Sequence, residues 1–390
     1  MRRASVAPAP RASLSKHRGR LPLLAAFAAA VAGGGTYALA TSGGRAAPAA
    51  GTLTGASGLD LIGMDRGVRP GDDFFAYANG AWRKNTEIPA DHGSYGINAA
   101  LNELTVRRTA DLIMETAKTE SAPGSDARKI SDYYLSFLDE AAIEAKGLLP
   151  LRPALDRVQA IKSPADLAQA LGQTLRADVD AINSTNFYTA HLLGLWVAQD
   201  FDEPSRYSPF LLQGGLGMPD RDYYLDPAPR MAEIRSAYRL YIAALLKLAG
   251  VGDADARAAR IFDLELRIAR VHSTRLESED VIKGNNHWSR ADFDRRARGL
   301  DWGAFFAAAG LAGQSSFVVW HPQAITGIAA LVAKEPLATW KDYLIFHAVS
   351  EYAAVLPRAY VDADFAFYGK VLSGTPRLRD TRILMCRLFA

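Results

Sequence analysis

Seven histidines are the residues in this chain best suited to metal or acid–base chemistry: His17, His92, His191, His272, His287, His321 and His347. A hydrolytic zinc centre needs two imidazoles one helical turn apart, with a glutamate beside the first as general base. The residues that follow these histidines are Arg, Gly, Leu, Ser, Trp, Pro and Ala, and no two histidines are four apart. Both His-Glu-x-x-His and its inverted form are therefore absent. His272 and His287 are fifteen residues apart and can meet only through the tertiary fold; without a partner motif each reads as an ordinary core or surface histidine. No Gly-x-Ser-x-Gly elbow presents a nucleophilic serine. The single cysteine, Cys386, has no local activating group. The acid pairs Asp72-Asp73 and Asp139-Glu140 are adjacent, so their side chains diverge and read as solvated or capping groups rather than an acid/base pair. No catalytic, cofactor-binding or metal-ligating residue is assigned in the chain.

The stretch Gln213-Gly-Gly-Leu-Gly-Met-Pro-Asp-Arg-Asp-Tyr-Tyr-Leu225 is the most structured motif. Three glycines in five residues permit positive φ or very close packing. Pro219 fixes φ, the Asp-Arg-Asp run can tie a turn through side-chain hydrogen bonds, and Tyr223, Tyr224 and Leu225 offer a plug for a core. A phosphate-cradling loop is the sharper reading, but no Gly-Lys-Ser/Thr follows. The stretch reads as an elaborate ordered turn.

The elements that must position such a turn are mostly helical. Gly96 to Lys118 carries Leu101, Leu104, Ile113 and Met114 at near-helical spacing. Ile130–Leu138, Ala141–Lys146 (ended by Gly147) and Leu151–Ile161 continue in the same style. Ser163-Pro-Ala-Asp166 reads as a helix start, with Ser as N-cap and Pro at the first helical position. Phe187 to Gln199 reads as a strand pair, and Phe210-Leu-Leu leads into the glycine turn. After Pro229 a helix carries Met231, Ile234, Tyr238, Tyr241, Ile242, Leu245 and Leu246 on one face and ends at Gly250. Asp255 to about Leu276 reads as a second long helix, with Glu265 beside Arg267 and Arg270 on a solvated face. Ser289-Arg-Ala-Asp292 resembles a capping box. Asp301-Trp302 opens a short helix, Phe317–Trp320 is β-prone, and Ile325–Ala333 and Leu337–Leu356 are helical. Arg69 to Asp91 reads as a loop-rich strap anchored by Phe74, Phe75, Tyr77 and Trp82. No internal repeat of fixed period is present.

Composition narrows the class. With 390 residues, 49% hydrophobic and 22% charged, the chain is an ordinary globular protein long enough for two domains. One cysteine rules out an intrachain disulfide, though not export. The formal charge of +3 is carried by the N-terminus: residues 1–40 hold six basic residues and no acid, leaving the rest at −3. A mildly acidic body argues against a nucleic-acid binder. A basic segment, the apolar run Leu21–Ala40 and the small-x-small Ala38-Leu-Ala40 have the layout of a secretory signal, with an uncleaved anchor as the rival. Either places the body outside the cytoplasm, in a bacterial periplasm or beyond.

Three segments together carry a family resemblance. The glycine stretch resembles "QGGLGLPDRDYYL" of the neprilysin-like zinc peptidases, the M13 family. Arg69-Pro-Gly-Asp-Asp-Phe-Phe-Ala-Tyr-Ala-Asn-Gly-Ala-Trp82 with Thr86-Glu-Ile-Pro-Ala-Asp91, and Phe365-Ala-Phe-Tyr-Gly-Lys-Val-Leu-Ser-Gly-Thr-Pro376, match the same family in the same order. The resemblance covers roughly residues 60 to 376, the family's N-terminal region. It implies a mainly α fold with a few short strands: the helical lobe of a neprilysin-like two-lobe metallopeptidase, with the zinc lobe mostly missing. The family's zinc is a cofactor of the full-length enzyme, and peptides are its substrates. The Asn-Ala, His-Glu-x-x-His and Glu-x-x-x-Asp motifs would follow Pro376, where this chain has only Arg377–Ala390, so no family site residue is carried over.

The expected domains are then 1–40 signal or anchor, 41–58 flexible linker, 59–376 M13 N-terminal domain, and 377–390 a divergent tail of frameshift or early-stop character. The expected function is the substrate-enclosing portion of an exported M13 zinc metalloendopeptidase, inactive alone, with a separate C-terminal zinc domain as its missing partner. The alternative is a non-catalytic exported module that binds peptides or a partner. Nucleic acid is not an expected ligand, and a membrane is one only if residues 21–40 are retained.

Overall fold

The computed structural model of the chain describes residues 59–175, 189 and 191–378. The expected signal or anchor, the linker, Cys386, His17 and the tail from 379 onward lie outside the described residues.

Six helices come first: α1 (Phe74–Asn85), α2 (Ile97–Lys118), α3 (Asp126–Leu138), α4 (Glu140–Lys146), α5 (Arg152–Ala160) and α6 (Pro164–Gln173). The hairpin β1 (Leu193–Gln199) and β2 (Tyr207–Gln213) leads into α7 (Asp222–Leu225), the long pair α8 (Pro229–Leu248) and α9 (Ala254–Val271), and the short α10 (Arg275–Ser278) and α11 (Val281–Gly284). Then come β3 (His287–Ser289), α12 (Arg290–Arg296), α13 (Trp302–Ala308), β4 (Ser316–Val319), α14 (Pro322–Lys334), α15 (Leu337–Tyr352) and α16 (Arg358–Asp364), which runs into a wide helical turn at Phe365–Leu372. The fold is mainly α with one small sheet, as expected. Among the described residues no helix is long and apolar enough to cross a membrane.

Local chemistry sets many boundaries where the sequence places them. Ser163 accepts from the Asp166 N–H while the Asp166 carboxylate takes the Ser163 N–H, closing a capping box with Pro164 inside the first turn. Asp292 reaches back to the Ser289 N–H at 2.9 Å. Asp73 and Asp139 cap α1 and α4 at 2.8 and 3.0 Å, so each acid pair supplies a cap.

The structure corrects four expectations. The strap at 69–91 contains helix α1, because the Asp73 cap and the basic last turn (Arg83, Lys84) satisfy a helix dipole; Phe74 and Phe75 are exposed rather than anchored. The strand pair at 187–199 is one strand, β1, whose partner is β2, with Leu193 opposite Gln213 and Gln199 opposite Tyr207; residues 187, 188 and 190 lie outside the described residues. In α2 the buried stripe is Val106, Ala110 and Ile113, packed on Tyr134 of α3, while Leu101 is exposed. Helix α9 ends at Val271, five residues early, because His272 turns extended (ψ 144°) and Thr274 starts a new helix with its own capping box to Glu277.

The sheet order is β1-β2-β4-β3, with β2 and β4 parallel (Phe210 opposite Val318) and the outer pairs antiparallel. One face feeds the main core through Leu193, Leu195, Leu211, Phe317 and Val319. The other carries a satellite of Phe210, Leu212, Val318 and Trp320, with Trp196 5.3 Å from both Phe210 and Trp320.

Glu265 of α9 is a fifth correction. It is 0% exposed. Its carboxylate accepts from the hydroxyl of Tyr224 on α7 (2.6 Å), the hydroxyl of Tyr238 on α8 (2.9 Å) and Nε2 of His347 on α15 (2.8 Å). Helical spacing explains the burial: Glu265 follows Ile261 by four and precedes Ile268 by three, so it lies on the apolar stripe of α9. Arg267 turns instead to Glu335, at 3.0 Å. A buried carboxylate costs several kcal/mol unless donors replace its water, and here three helices provide them. Burial, then the charge of Glu265, pushes both phenols well above their ordinary range. Glu265→Ala leaves these donors without their acceptor and is expected to cost about 3–5 kcal/mol; Tyr238→Phe, which removes one hydrogen bond, about 1 kcal/mol. Denaturant unfolding of the purified chain measures both.

Candidate functional site

The residues Gln213 to Leu225 form one wall of a cleft of about 820 Å³, a volume typical of small-molecule or peptide sites. Its lining includes Gln213, Gly214, Arg221, His272, Ser278 and Tyr368. The wall is the end of β2 and the glycine turn; the floor is the break between α9 and α10.

The turn is bolted from every side. Gly215 has φ +87°, and its carbonyl accepts from the Tyr343 hydroxyl at 3.0 Å. The Gly217 carbonyl accepts from Tyr368 at 2.7 Å. The Met218 N–H donates to the Tyr224 hydroxyl at 3.0 Å, and that hydroxyl passes its own proton toward Glu265. A Cβ on Gly217 would lie 1.9 Å from the Tyr238 hydroxyl, so only glycine fits. The Gln213 amide pairs reciprocally with the Ser273 backbone, accepting at 2.7 Å and donating at 3.1 Å. The Gly215 N–H goes to the Thr189 carbonyl. The N–H groups of Gln213, Gly215 and Met218 are all used inside the protein, in keeping with an ordered turn.

Two histidines lie under the turn. His272 Nε2 meets the Gly214 carbonyl at 3.0 Å, and His321 Nδ1 accepts the Gln213 N–H at 3.2 Å. Burial pushes His272 down to about 3 and His321 down to about 4, so both rings are neutral near pH 7. His321 Nε2 stands 2.9 Å from the Ser278 hydroxyl, a separation that suits a base and a nucleophile. The proton runs the wrong way for that chemistry. Because Nδ1 is an acceptor, Nε2 carries the hydrogen and donates to Ser278, whose own hydroxyl donates to the Thr274 carbonyl at 2.9 Å. Ser278 is therefore a link between α10 and the start of α14 rather than an activated nucleophile.

The histidines that sequence reasoning paired are held apart. His272 belongs to the cleft, whereas His287 meets Asp202 and Asn285 at the sheet end. His92 is enclosed by Asp91 and Glu103 at 3.1 and 2.8 Å. His347 is taken by Glu265. Among the described residues, one group of three His, Asp or Glu ligand atoms comes within metal-binding range: Asp200, Asp202 and His287. It contains a single imidazole and does not fit a catalytic centre built on two histidines and a glutamate base.

Sequence reasoning missed the chemistry that is built by long-range pairing. Glu265 reaches residues 41 and 82 positions away, and Gln213 meets His321 across 108. For Glu265 a signal existed, its place on the α9 stripe; for the others no local pattern exists. Arg221 was noted only as part of a turn. It donates from Nη1 to the His272 carbonyl at 2.9 Å, and its Nε is buried without a hydrogen-bond partner.

Gly217→Ala is expected to cost several kcal/mol by collision with the Tyr238 ring, and the double variant with Tyr238→Phe to recover part of that loss, a coupling that a double-mutant cycle of unfolding free energies reads directly. Acid acts on the floor of the cleft. The two neutral rings take up protons less readily folded than unfolded, so the stability they contribute is complete above about pH 6.5 and is lost as the pH falls toward about 4. Unfolding free energies measured from about pH 7 to about pH 4 should decline across this window, and the decline should flatten in His272→Gln/His321→Gln.

The comparisons with known proteins agree with this architecture. The N-terminal model of Peptidase family M13 matches residues 70–386. Human endothelin-converting enzyme 1 is 25% identical over 334 residues, 84% of this chain and 42% of the relative; mouse endothelin-converting enzyme-like 1 is 28% identical over 247 residues, 61% and 31% of the two. The crystal structure of Mycobacterium tuberculosis zinc metalloprotease Zmp1 with an inhibitor superposes with a TM-score of 0.76 at 32% identity, covering 85% of this chain and 49% of that one. PepO from Lactobacillus rhamnosis, at 16% identity and a TM-score of 0.64, shares the fold. The chain spans less than half the length of the curated relatives it matches. With a family match over most of its residues and the helical architecture to accompany it, the chain belongs to peptidase family M13.

Proposed function

We propose that this chain is the substrate-enclosing N-terminal portion of an exported zinc metalloendopeptidase that acts on peptides, and that it does not hydrolyse peptides by itself. The observation that carries the reading is the cleft on Gln213–Arg221. The stretch that most resembles the family is also the wall of a cleft of about 820 Å³, and its backbone is locked by Tyr224, Tyr343 and Tyr368. A rigid wall holds an extended chain at little entropic cost. Arg221 lines the cleft and is tethered through Nη1 to the His272 carbonyl, which holds its guanidinium at the wall, where a cation is suited to a carbonyl or carboxylate of a peptide.

The names of the relatives, endothelin-converting enzyme and zinc metalloprotease, support zinc-dependent peptide hydrolysis for the whole protein. Among the described residues the donor groups do not build that zinc centre, so in this reading the metal and its general base sit in a different domain. In the same reading residues 1–40 direct export, 41–58 are a linker, 59–376 form the peptidase N-terminal domain, and 377–390 are a divergent tail; the family match itself runs to 386.

The purified chain, incubated with an internally quenched peptide, is expected to give no hydrolysis above background. A fluorescent peptide should bind, and Arg221→Ala should weaken that binding about tenfold, the equivalent of one charge-assisted hydrogen bond. Hydrolysis that a zinc chelator abolishes would overturn the claim of inactivity, and binding unchanged by Arg221→Ala would remove the cleft from the peptide path.

A further inference from the structure

Away from the cleft, at the far end of the sheet, the β1–β2 turn and the entry to β3 bring four ligand atoms together. His287 Nε2 lies 3.1 Å from Asp202 Oδ2, 3.1 Å from Asn285 Oδ1 and 3.6 Å from Asp200 Oδ1. One imidazole nitrogen brings at most one proton, and three acceptor oxygens surround it. Two of those oxygens belong to carboxylates whose like charges a cation would relieve. The spacing is that of ligands sharing an ion: at metal–ligand bonds of about 2.1 Å, neighbouring donors stand about 3.0 Å apart in an octahedron and about 3.4 Å apart in a tetrahedron.

The surroundings hold the donors in place. Asp200, buried to 1% exposure, is fixed through Oδ2 by the Ser208 hydroxyl (2.6 Å) and Arg206 (3.2 Å), and through Oδ1 by the N–H groups of Asp202 (3.0 Å) and Glu203 (3.3 Å). The Asn285 amide nitrogen donates to Asp202 Oδ1 at 2.9 Å, which turns its carbonyl oxygen toward the imidazole. Asp202 and His287 are open to solvent, giving an ion a route in. Outer contacts of this kind orient ligands and tune affinity in metal sites.

We propose that Asp200, Asp202, Asn285 and His287 form a binding site for one first-row divalent transition cation such as Zn²⁺, with Asp202 and His287 as its principal ligands. An imidazole together with carboxylate and amide oxygens suits such an ion better than a purely oxygen-seeking one. The ion would clamp the β1–β2 turn to the start of β3, and with one imidazole and no His-Glu pair among its ligands, its role is structural. None of these residues lines the peptide cleft, so the site stands or falls separately from the proposed function.

The test is a calorimetric titration of Zn²⁺ into the chelator-stripped full chain, with Co²⁺ absorption as a spectroscopic signature of nitrogen ligation. One ion per chain is expected, with His287→Ala and Asp202→Asn each weakening it by at least about tenfold while far-UV circular dichroism stays unchanged. Asp202 is exposed, so its conservative variant keeps the fold if His287→Ala does not. Absence of saturable Zn²⁺ binding overturns the proposal. So does Zn²⁺ binding that neither variant weakens, and so does Ca²⁺ binding that is indifferent to His287→Ala.

Discussion

A single carboxylate, that of Glu265, sets how the helical body is assembled. Left without donors in a dry core it would be an uncompensated charge that destabilises its surroundings. Supplied with two phenols and an imidazole from α7, α8 and α15, it becomes the point where four helices agree on one arrangement. The consequence travels outward. Tyr224 can serve Glu265 only where its hydroxyl also takes the Met218 N–H, so the carboxylate positions the glycine turn. Tyr238 can reach it only because Gly217 lacks a side chain. The cleft wall is thus an extension of the core's polar network.

This dependence explains the character of the cleft. Its histidines are neutral because they are buried, and the His321–Ser278 contact runs from imidazole to hydroxyl, which holds the start of α14 to α10 and activates nothing. Rigidity, shape and one part-buried guanidinium are what the wall offers. Such a surface is preorganised rather than reactive.

Much of the architecture was legible locally. Helix starts at Ser163 and Ser289 and stops at Gly147 and Gly250 depend on one residue satisfying the backbone groups of the next few, so they survive without any knowledge of the fold. Errors arose where tertiary partners outweighed local pattern. The end of α9 is drawn to Val271 because the His272 carbonyl and ring have their own partners in Arg221 and Gly214. The aromatic run at 74–82 is helical because a cap and a basic last turn outweigh its bulky composition. Glu265 looked solvated because arginines flank it, although its spacing from Ile261 and Ile268 already placed it on the buried stripe.

The amino-acid sequence by itself determined the helical class, the family, the lack of a two-histidine zinc motif and the need for a tight, tyrosine-plugged turn at 213–225, because each is written in residue type and short spacing. Only the tertiary structure decided that this turn walls a cleft, that Glu265 is the acceptor for three helices, and that Asp200, Asp202, Asn285 and His287 converge. Those facts rest on contacts between residues 27 to 151 positions apart, and a chain brings such residues together only when burial of its apolar faces compensates the entropy of closing those loops.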